Sequence, residues 1–453
     1  MNLFKKSLIL GLCFILGVGL LGGCSGTNAT ADKNLGKDPE TMAVALVTDL
    51  SRGEYQKAID NFDYTVEMKK ALNKAAYEEI WTQLQTQNGL FIKINGTKIV
   101  ENGDYLSVRI QSAFEKSNID LQVTFDGNNI ISGFHILEYS GDTASTVVPD
   151  NIKEESITFG EDAFLLSGTL TTPTQGENFP CVILVQGLGP QDRNETLGPN
   201  APFRDIAWGL AQQGIASIRY DKRTKTYGDH MGENFTPREE TIDDVIHALA
   251  YAQKMSQING NSLFILGHGF GGYLMPKIAE QTPDAAGYII LGGSTSPLED
   301  LMIRQYDYLA SLDNTITNDE AEFMSQAKTS WNEVKQLTPD SNETSSQLMG
   351  IAKDYWLYLK DYNPIVIMKS VEKPVIILQG EGDYETDMTE FGHWKSALAD
   401  KTNVTLKSYP GLNHLFIMGN GSKSPEEYEI PGKVSQEVIN DLASFIQVNS
   451  NAV

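Results

Sequence analysis

The hydrophobic pattern of the chain changes its period between regions, and each period predicts a different architecture. Residues 39 to 86 repeat apolar positions at helical spacing, whereas residues 90 to 137 form short alternating runs. Helices followed by an antiparallel meander predict a small α+β domain over residues 39–138. The predicted helices are 39–52, 55–62 and 66–86, the predicted strands are 90–99, 105–114, 119–125 and 130–137, and hairpin turns are predicted at Asn95-Gly96, Asn102-Gly103 and Asp126-Gly127.

A polar stretch, residues 139–153, is predicted to be a linker, and strands and helices alternate from residue 154 to 453. Residues 181–186 are apolar without alternation, as in a parallel strand that is buried on both faces. The pattern predicts a doubly wound, mostly parallel α/β sheet, which binds ligands beyond the carboxyl ends of its strands. The predicted strands are 156–159, 164–171, 181–186, 216–220, 263–266, 287–291, 375–379 and 404–409, and the clearest helices are 203–213, 241–255 and 434–446.

The first residues have the features of a targeting segment. Lys5 and Lys6 precede an apolar run over residues 8–21, and Leu21-Gly22-Gly23-Cys24 resembles the cleavage and lipidation site of bacterial lipoproteins. We therefore predict a lipoprotein signal peptide over 1–24, a lipidated Cys24 and a tether over 25–38. The protein would then be anchored at the extracytoplasmic face of a bacterial cell membrane. The alternative is an ordinary signal peptide or anchor that contains a cysteine.

Composition and charge narrow the function classes. The apolar fraction of 41% is typical of a globular protein, and the net charge is −24. Nucleic-acid binding needs a basic face, so we expect no nucleic-acid partner. The six histidines are scattered without ligand spacing, so we expect neither a metal nor a cofactor. Besides Cys24, the cysteines are Cys13, in the signal segment, and Cys181, in a predicted strand, which leaves no intramolecular disulfide.

The stretch from Gly267 to Gly271 carries the main functional signal. It follows a short apolar strand, precedes a predicted helix and reads Gly-His-Gly-Phe-Gly. A strand, a sharp turn and a helix with Gly-x-Ser-x-Gly form the nucleophile elbow of α/β-hydrolases. Here Gly269 stands where the serine would be. The alternative, a dinucleotide-binding Gly-x-Gly-x-x-Gly, is disfavoured because several strands precede it and no acid follows the next strand.

Several further segments carry a family resemblance: the loops 186–193, 378–384 and 409–416, and the runs 202–205 and 219–224. With the elbow, they resemble bacterial α/β-hydrolases related to serine aminopeptidases and small-ester hydrolases. The resemblance covers residues 154–453 and implies a helical cap over residues 296–363, where the strand–helix alternation stops. The simpler interpretation of the aromatic residues in that segment is that they pack the cap to the core. Residues 39–138 resemble a cystatin-like domain that is often fused to such hydrolases.

The resemblance also assigns roles to residues. It implies that Asp383 is the acid and His414 the general base of a catalytic triad. The backbone amides of Leu188 and Phe270 would form the oxyanion hole. Gln186 stands where the family usually has a histidine, which does not by itself remove a backbone donor. All parts except the nucleophile are therefore expected at the site.

The missing serine decides the predicted function. Loss of a triad serine costs on the order of a million-fold in turnover. We therefore predict an inactive or very weakly active hydrolase, or a binder of a small ester or peptide-like ligand. The first alternative is an active hydrolase that uses water held by His414 or another nucleophile. Ser294 and Ser296 are the nearest candidates, although Ser296-Pro297 resembles a helix start. The second alternative is a structural role at the cell envelope through residues 39–138.

Overall fold

A computed structural model describes residues 38–102, 105–115, 117–138, 148–161, 163–228, 231, 234–312, 315–348 and 350–450. The predicted signal peptide with Cys24, the tether up to residue 37 and most of the predicted linker lie outside these residues. The described chain forms two units, residues 38–138 and residues 148–450. None of the described helices is both long enough and apolar enough to cross a bilayer.

The first unit has four helices followed by a four-stranded antiparallel sheet in the order β1-β2-β3-β4. Its core lies between the helices and one face of the sheet, around Leu46, Trp81 and Val123. The predicted α+β order is therefore observed. The elements are α1 (Pro39–Ser51), α2 (Tyr55–Asp60), α3 (Val66–Ala71), α4 (Lys74–Asn88), β1 (Phe91–Asn102), β2 (Tyr105–Phe114), β3 (Asn118–Phe125) and β4 (Ile131–Glu138).

Two local predictions in this unit are wrong. The helix predicted over 66–86 is two helices, because the Asn73 side chain accepts a hydrogen bond from the Ala76 amide at 3.0 Å and starts a new helix there. The hairpin turn predicted at Asn95-Gly96 is a bulge inside β1, and Gly96 pairs with Gln111. The turn at Asp126-Gly127 is present, whereas the turn at Asn102-Gly103 reaches beyond the described residues.

The second unit is built on an eight-stranded sheet in the order β12-β11-β10-β9-β7-β8-β6-β5. In this order, the six strands from β12 to β8, including β7, are parallel. Strands β6 and β5 are antiparallel and lie at one edge of the sheet. This confirms the doubly wound, mostly parallel sheet. The strands are β5 (Ile152–Glu161), β6 (Phe164–Pro173), β7 (Phe179–Val185), β8 (Ala216–Tyr220), β9 (Ile258–His268), β10 (Gly287–Leu291), β11 (Val375–Gly380) and β12 (Val404–Tyr409).

Alternate side chains of the buried strands enter two separate hydrophobic clusters. In β7, Ile183 belongs to one cluster and Val182 and Leu184 to the other. The sheet is therefore covered by helices on both faces, which explains the apolar run without alternation. The helices are α5 (Pro202–Ala211), α6 (Arg223–Tyr227), α7 (Asp243–Ala252), α8 (Phe270–Gln281), α9 (Leu298–Ser311), α10 (Asn318–Gln336), α11 (Lys353–Leu359), α12 (Pro364–Met368), α13 (Met388–Ala397) and α14 (Gln436–Ser450).

Helices α9 to α12 lie in the chain between β10 and β11, where the helical cap is predicted. Several aromatic side chains in this segment of the chain are buried, as expected if they pack the segment to the core. The Tyr362 hydroxyl donates a hydrogen bond to the Tyr273 carbonyl at 2.6 Å, and the Tyr355 hydroxyl donates to Glu240 at 2.6 Å. At the start of the unit, β5 begins at Ile152, slightly before the predicted boundary at residue 154.

Candidate active site

The turn between β9 and α8 has the conformation of a nucleophile elbow. β9 ends at His268, α8 begins at Phe270, and Gly269 between them has φ 51° and ψ −112°. This region of backbone space is strained for any residue that carries a Cβ. The turn also packs very closely, because a Cβ added at Gly271 would lie 2.5 Å from the Val185 carbonyl oxygen. The neighbouring glycines therefore hold the turn in this shape.

Asp383 and His414 meet at the carboxyl edge of the sheet. The Nδ1 of His414 lies 2.7 Å from the Oδ2 of Asp383, and both side chains are buried. The other oxygen, Oδ1, accepts hydrogen bonds from the amides of Glu385 and Thr386 at 2.8 and 2.9 Å. Since the carboxylate is held by the loop after β11, it keeps the hydrogen on Nδ1 and leaves Nε2 of His414 for chemistry.

The Nε2 atom of His414 faces the backbone of Gly269. A Cβ added at Gly269 would lie 3.1 Å from Nε2 and 3.8 Å from the Cα of Gly187. A serine here would therefore direct its hydroxyl at the imidazole after a ring shift of a few tenths of an ångström. Within the described residues, no hydroxyl makes a hydrogen bond to Nε2. The structure thus brings together Gly269, Asp383 and His414, while their catalytic roles stay predictions.

The two expected oxyanion donors lie beside the same pocket. Leu188 and Phe270 both line it, and neither amide donates a hydrogen bond to an acceptor in the described part of the chain. The neighbouring amides are occupied: that of Gly269 donates to the Leu291 carbonyl at 2.9 Å, and that of Gly187 donates to Glu195 at 2.6 Å. Free backbone donors beside a base are what an oxyanion hole requires.

The surroundings of His414 are acidic. The Oε2 of Glu385 lies 3.9 Å from Nε2, and Glu195 is close enough to act electrostatically. Burial disfavours the charged imidazole, but the carboxylates of Asp383, Glu385 and Glu195 outweigh it and raise the pKa of His414 from 6.5 to about 10. The protonated ring is therefore favoured at neutral pH, and the neutral form that can accept a proton is the minor one.

The side chain of His268 packs against His414. Its Nε2 lies 2.9 Å from the carbonyl oxygen of His414, and the two rings are 4.4 Å apart between centroids. Its Nδ1 lies 2.8 Å from the Oε2 of Glu195, although the angle there is outside hydrogen-bond geometry. Glu195 thus contacts both His268 and the amide of Gly187, and it joins the elbow to the loop after β7.

The pocket above these residues has a volume of about 350 Å³. Helix α9 lines it with an apolar wall, apart from the polar Gln305, and the polar lining residues from other segments include Glu385 and Gln191. Helix α9 belongs to the predicted cap, so the cap segment contributes directly to the pocket. The apolar wall consists of Leu298, Leu301, Met302, Tyr306 and Leu309.

The two candidate replacement nucleophiles are engaged elsewhere. The hydroxyls of Ser294 and Ser296 donate to Glu390 at 3.2 and 2.6 Å. Helix α9 begins at Leu298 with Pro297 as its N-cap, so the expected helix start is present but Ser296 is not the residue that caps it. The reason is that Glu390 holds the Ser296 side chain.

Glu390 is a fully buried carboxylate that joins three segments. It accepts hydrogen bonds from the amides of Thr295 and Ser296 at 2.7 and 3.0 Å, and it pairs with Arg304 of α9. Burial alone would raise its pKa, but the hydrogen bonds from Ser296 and Thr295 and the contact with Arg304 lower the pKa of Glu390 to about 2. The carboxylate therefore ties the pocket-lining helix to the sheet edge.

Sequence reasoning missed Glu195, His268, Glu385 and Glu390. His268 and Glu385 each lie within two positions of a predicted site residue, which is a signal that could have identified them. Glu195 and Glu390 carry no motif, and only the fold brings them to the site. No set of three or more His, Cys, Asp or Glu side chains in the described ranges is arranged to hold a metal ion.

Comparison with known proteins gives two matches to families. Residues 207–352 match the prolyl oligopeptidase family, and residues 43–134 match a family described as protein of unknown function (DUF3887). The esterase EstD of Thermotoga maritima is 29% identical over 397 residues, which cover 85% of this chain and 92% of that protein. With the sheet topology, these matches support an α/β-hydrolase of an esterase- or peptidase-like family.

Two solved structures illustrate the likeness at low sequence identity. Est1E from Butyrivibrio proteoclasticus is 15% identical with a TM-score of 0.42, covering 66% of this chain and 99% of that one. The α/β-hydrolase GrgF from Penicillium sp. sh18 is 16% identical with a TM-score of 0.45, covering 66% of this chain and 99% of that one.

Proposed function

We propose that this α/β-hydrolase-fold protein, which is similar to an esterase and to the prolyl oligopeptidase family, binds a small ester or aminoacyl amide without turning it over efficiently. The pocket takes the acyl group against the apolar wall of α9 and the carbonyl beside the amides of Leu188 and Phe270. Asp383 and His414 stand in the positions of acid and base. The site is then that of a hydrolase without its nucleophile, either inactive or very weakly active.

One observation carries the proposal: Nε2 of His414 faces the bare backbone of Gly269, 3.1 Å from where a side chain would begin. A base in that position has no hydroxyl to deprotonate, so no acyl-enzyme can form at residue 269. In serine hydrolases this loss reduces turnover on the order of a million-fold, and the oxyanion hole alone leaves only residual catalysis.

The charge state of His414 also works against attack by water. Water would have to give its proton to Nε2 as its oxygen attacks the carbonyl carbon, and only a neutral imidazole accepts that proton. Because the pKa of His414 is raised to about 10, the neutral form is the minor one at pH 7. Any residual hydrolysis should therefore increase as the pH rises towards 10.

The direct test is the substitution Gly269→Ser, assayed on a panel of p-nitrophenyl esters and aminoacyl p-nitroanilides. We expect turnover at least about 10³-fold above the unmodified protein, because the remaining groups are in place. Gly269→Ala is the matched control, since it adds the Cβ without the hydroxyl and should gain nothing. A folded Gly269→Ser protein without activity on the whole panel would contradict the proposal.

A second candidate function is hydrolysis by water or by an unrecognised nucleophile. It is favoured by the hydrogen-bonded Asp383–His414 pair and by the two free amides, which are retained without the serine. The test is a sensitive ester assay on the unmodified protein and on His414→Ala. Robust turnover that disappears with His414→Ala would support this second function and reject an inactive site. A fluorophosphonate adduct on the unmodified protein would identify any serine involved.

We also propose that the protein is a bacterial lipoprotein, held at the extracytoplasmic membrane face by lipid on Cys24. The supporting observation is the basic, apolar and small-residue order that ends in Leu21-Gly22-Gly23-Cys24. Cys24→Ser should move the protein from the membrane to the soluble fraction, and mass spectrometry should find acyl chains only on the unmodified protein. Membrane association that survives Cys24→Ser, with no acylated peptide, would reject the lipid anchor.

A further inference from the structure

We propose that Lys222 is a positioning residue for the oxyanion hole: by holding the carbonyl of Gly187, it aims the amide of Leu188 into the pocket. The catalytic meaning of this contact depends on the function proposed above. The contact itself can be tested without any catalysis. Lys222 belongs to the run Arg219-Tyr220-Asp221-Lys222-Arg223-Thr224, which carries part of the family resemblance and has no role in the triad.

The Lys222 side chain is buried, and its ammonium group has two oxygen partners. Nζ donates to the carbonyl of Gly187 at 2.7 Å and pairs with Oε1 of Glu240 at 3.2 Å. The residue is 1% exposed, so both contacts lie away from water. Burying an ammonium group costs several kcal/mol unless such partners compensate it. The contact with Gly187 is therefore a strong, charge-assisted hydrogen bond in a dry environment.

The geometry of the peptide bond turns this contact into an orientation of the next amide. A trans peptide unit is planar, so its N–H points opposite to its C=O. No peptide bond in the described residues is cis. Once Lys222 fixes the direction of the Gly187 carbonyl, the N–H of Leu188 must point away from Lys222. That amide has no acceptor among the described residues, and Leu188 lines the pocket.

Glu195 holds the other side of Gly187. Its Oε1 accepts from the Gly187 amide at 2.6 Å, while Lys222 binds the carbonyl of the same residue. Rotation of the Gly187–Leu188 peptide would break the Lys222 contact, and movement of Gly187 away from Glu195, further along the same loop, would break the Glu195 contact. The two contacts together fix the start of the loop after β7.

Asp221 and the backbone of Lys222 also bind the loop after β7. The carboxylate of Asp221 accepts from the amide and Nε of Arg193 at 2.9 and 3.1 Å. The backbone amide of Lys222 donates to the carbonyl of Gln191 at 3.0 Å. The residues that follow β8 thus bind the loop after β7 at several points. The contact made by Lys222 is the one with Gly187, which precedes the expected donor Leu188.

A purely structural ion pair between Lys222 and Glu240 is the competing explanation, and two variants separate it. In the Gly269→Ser background, Lys222→Met combined with Glu240→Gln removes the Gly187 contact without leaving a buried carboxylate unpaired. Glu240→Gln alone removes the ion pair but keeps the donor to Gly187. The side chain at position 240 keeps a donor in both variants, since the Tyr355 hydroxyl, which donates to Glu240 at 2.6 Å, can also donate to the amide oxygen of a glutamine.

We expect the double substitution to lower kcat by about 10- to 100-fold with little change in KM, as for a misaligned oxyanion donor. The rate of inactivation by a fluorophosphonate should fall by a similar factor, because its phosphoryl oxygen occupies the same position. Glu240→Gln alone should keep most of both rates. Lys222→Arg, which retains a cationic donor, should recover part of the loss.

Hydrogen exchange over residues 186–190 provides the readout that needs no activity. In protein that retains Gly269, the double substitution should accelerate exchange in this loop and leave the β7 and β9 strands unchanged. This outcome would support the Lys222 contact even if Gly269→Ser were inactive, which would count only against the proposed function. Unchanged exchange and kcat in the double variant would overturn the inference. An equal loss in Glu240→Gln alone would overturn it too.

Discussion

Asp383 and His414 lie on one side of the base of the pocket, and Gly269 lies on the other. The two sides differ in the number of side-chain contacts that their residues make. On one side, the carboxylate oxygens of Asp383 accept hydrogen bonds from Gln379, Glu385 and Thr386 and contact His414. On the other side, Gly269 contributes only its backbone to the site. Buried polar groups cost stability unless all their partners are present. The Asp383 carboxylate has these partners, whereas Gly269 has no side chain to place in the site.

The turn at Gly269 keeps its conformation without any side chain at that position. Gly269 keeps a left-handed φ of 51° because the flanking glycines allow the turn to pack against β7 and because its amide donates to Leu291. Conformation at this position is therefore set by the neighbours and not by the side chain. We therefore expect the Asp383–His414 pair to support catalysis once Gly269→Ser supplies a hydroxyl.

The largest effect is expected from Asp383→Asn in the Gly269→Ser background. Asparagine keeps the shape but cannot stabilise the imidazolium and favours the wrong tautomer of His414, so kcat should fall about 10⁴-fold. The measurement is steady-state hydrolysis of the best ester from the panel. If Asp383→Asn left kcat nearly unchanged, the hydrogen-bonded pair would not be the acid and base of the site.

The next effect concerns Glu390, which ties α9 to the sheet edge. Glu390→Ala leaves the amides of Thr295 and Ser296 without an acceptor, and each buried unsatisfied donor costs about 1–3 kcal/mol, so the free energy of unfolding should fall by about 3 kcal/mol. Because the pKa of Glu390 is lowered from 4.5 to about 2, its contribution is present above pH 4.5 and is lost as the pH falls towards 2.

Denaturant unfolding at pH 7 and at pH 3 measures this contribution. The difference between the unmodified protein and Glu390→Ala should be smaller at pH 3. Glu372→Ala is a suitable control, because Glu372 is an exposed carboxylate with only a surface contact to Lys401. An unfolding free energy that does not respond to Glu390→Ala would show that the carboxylate is not needed to hold α9.

A smaller effect is expected on stability at the elbow itself. Gly269→Ser and Gly269→Ala both force a Cβ into a strained backbone region and within 3.1 Å of His414, so each should lose about 1–3 kcal/mol of unfolding free energy. Chemical unfolding of the three proteins tests this. Equal stability of all three would mean that the elbow relaxes when a side chain is added, contrary to the comparison above.

The smallest effect is a shift of the pH profile. Activity of Gly269→Ser should rise with pH as His414 loses its proton. Glu385→Gln removes one of the carboxylates that raise the pKa of His414, so the rising limb should move to lower pH. Profiles of kcat/KM against pH measure this shift. Glu381→Gln is the matched control, because Glu381 directly follows β11 and its carboxylate accepts from the Ser408 hydroxyl at 2.8 Å. A profile that moves to higher pH would contradict the electrostatic account.

Much of the fold was predictable because its signals are local. The strands 216–220, 287–291 and 404–409 were predicted with the observed boundaries, since each is a short apolar or alternating run between turns. The positions of Asp383 and His414 followed from the family resemblance. The structure places both at the site beside Gly269.

Other features depend on long-range contacts that no local pattern encodes. The helix predicted over 66–86 breaks at Asn73, because its side chain caps a second helix. Ser296 does not cap α9, because its hydroxyl donates to Glu390, which is distant in the chain. Lys222 lies next to Gly187 because β7 and β8 are paired. Local patterns therefore indicate where Gly269, Asp383 and His414 lie in the fold, whereas the residues that hold them in place depend on long-range contacts.

The most direct test of the central claim is covalent labelling of Gly269→Ser with a fluorophosphonate, followed by mass spectrometry of the peptide that contains residue 269. We expect rapid, stoichiometric modification at residue 269, its loss when His414→Ala is added, and no modification of the unmodified protein under the same conditions. A folded Gly269→Ser protein that stays unlabelled, or labelling of another residue in the unmodified protein, would contradict it.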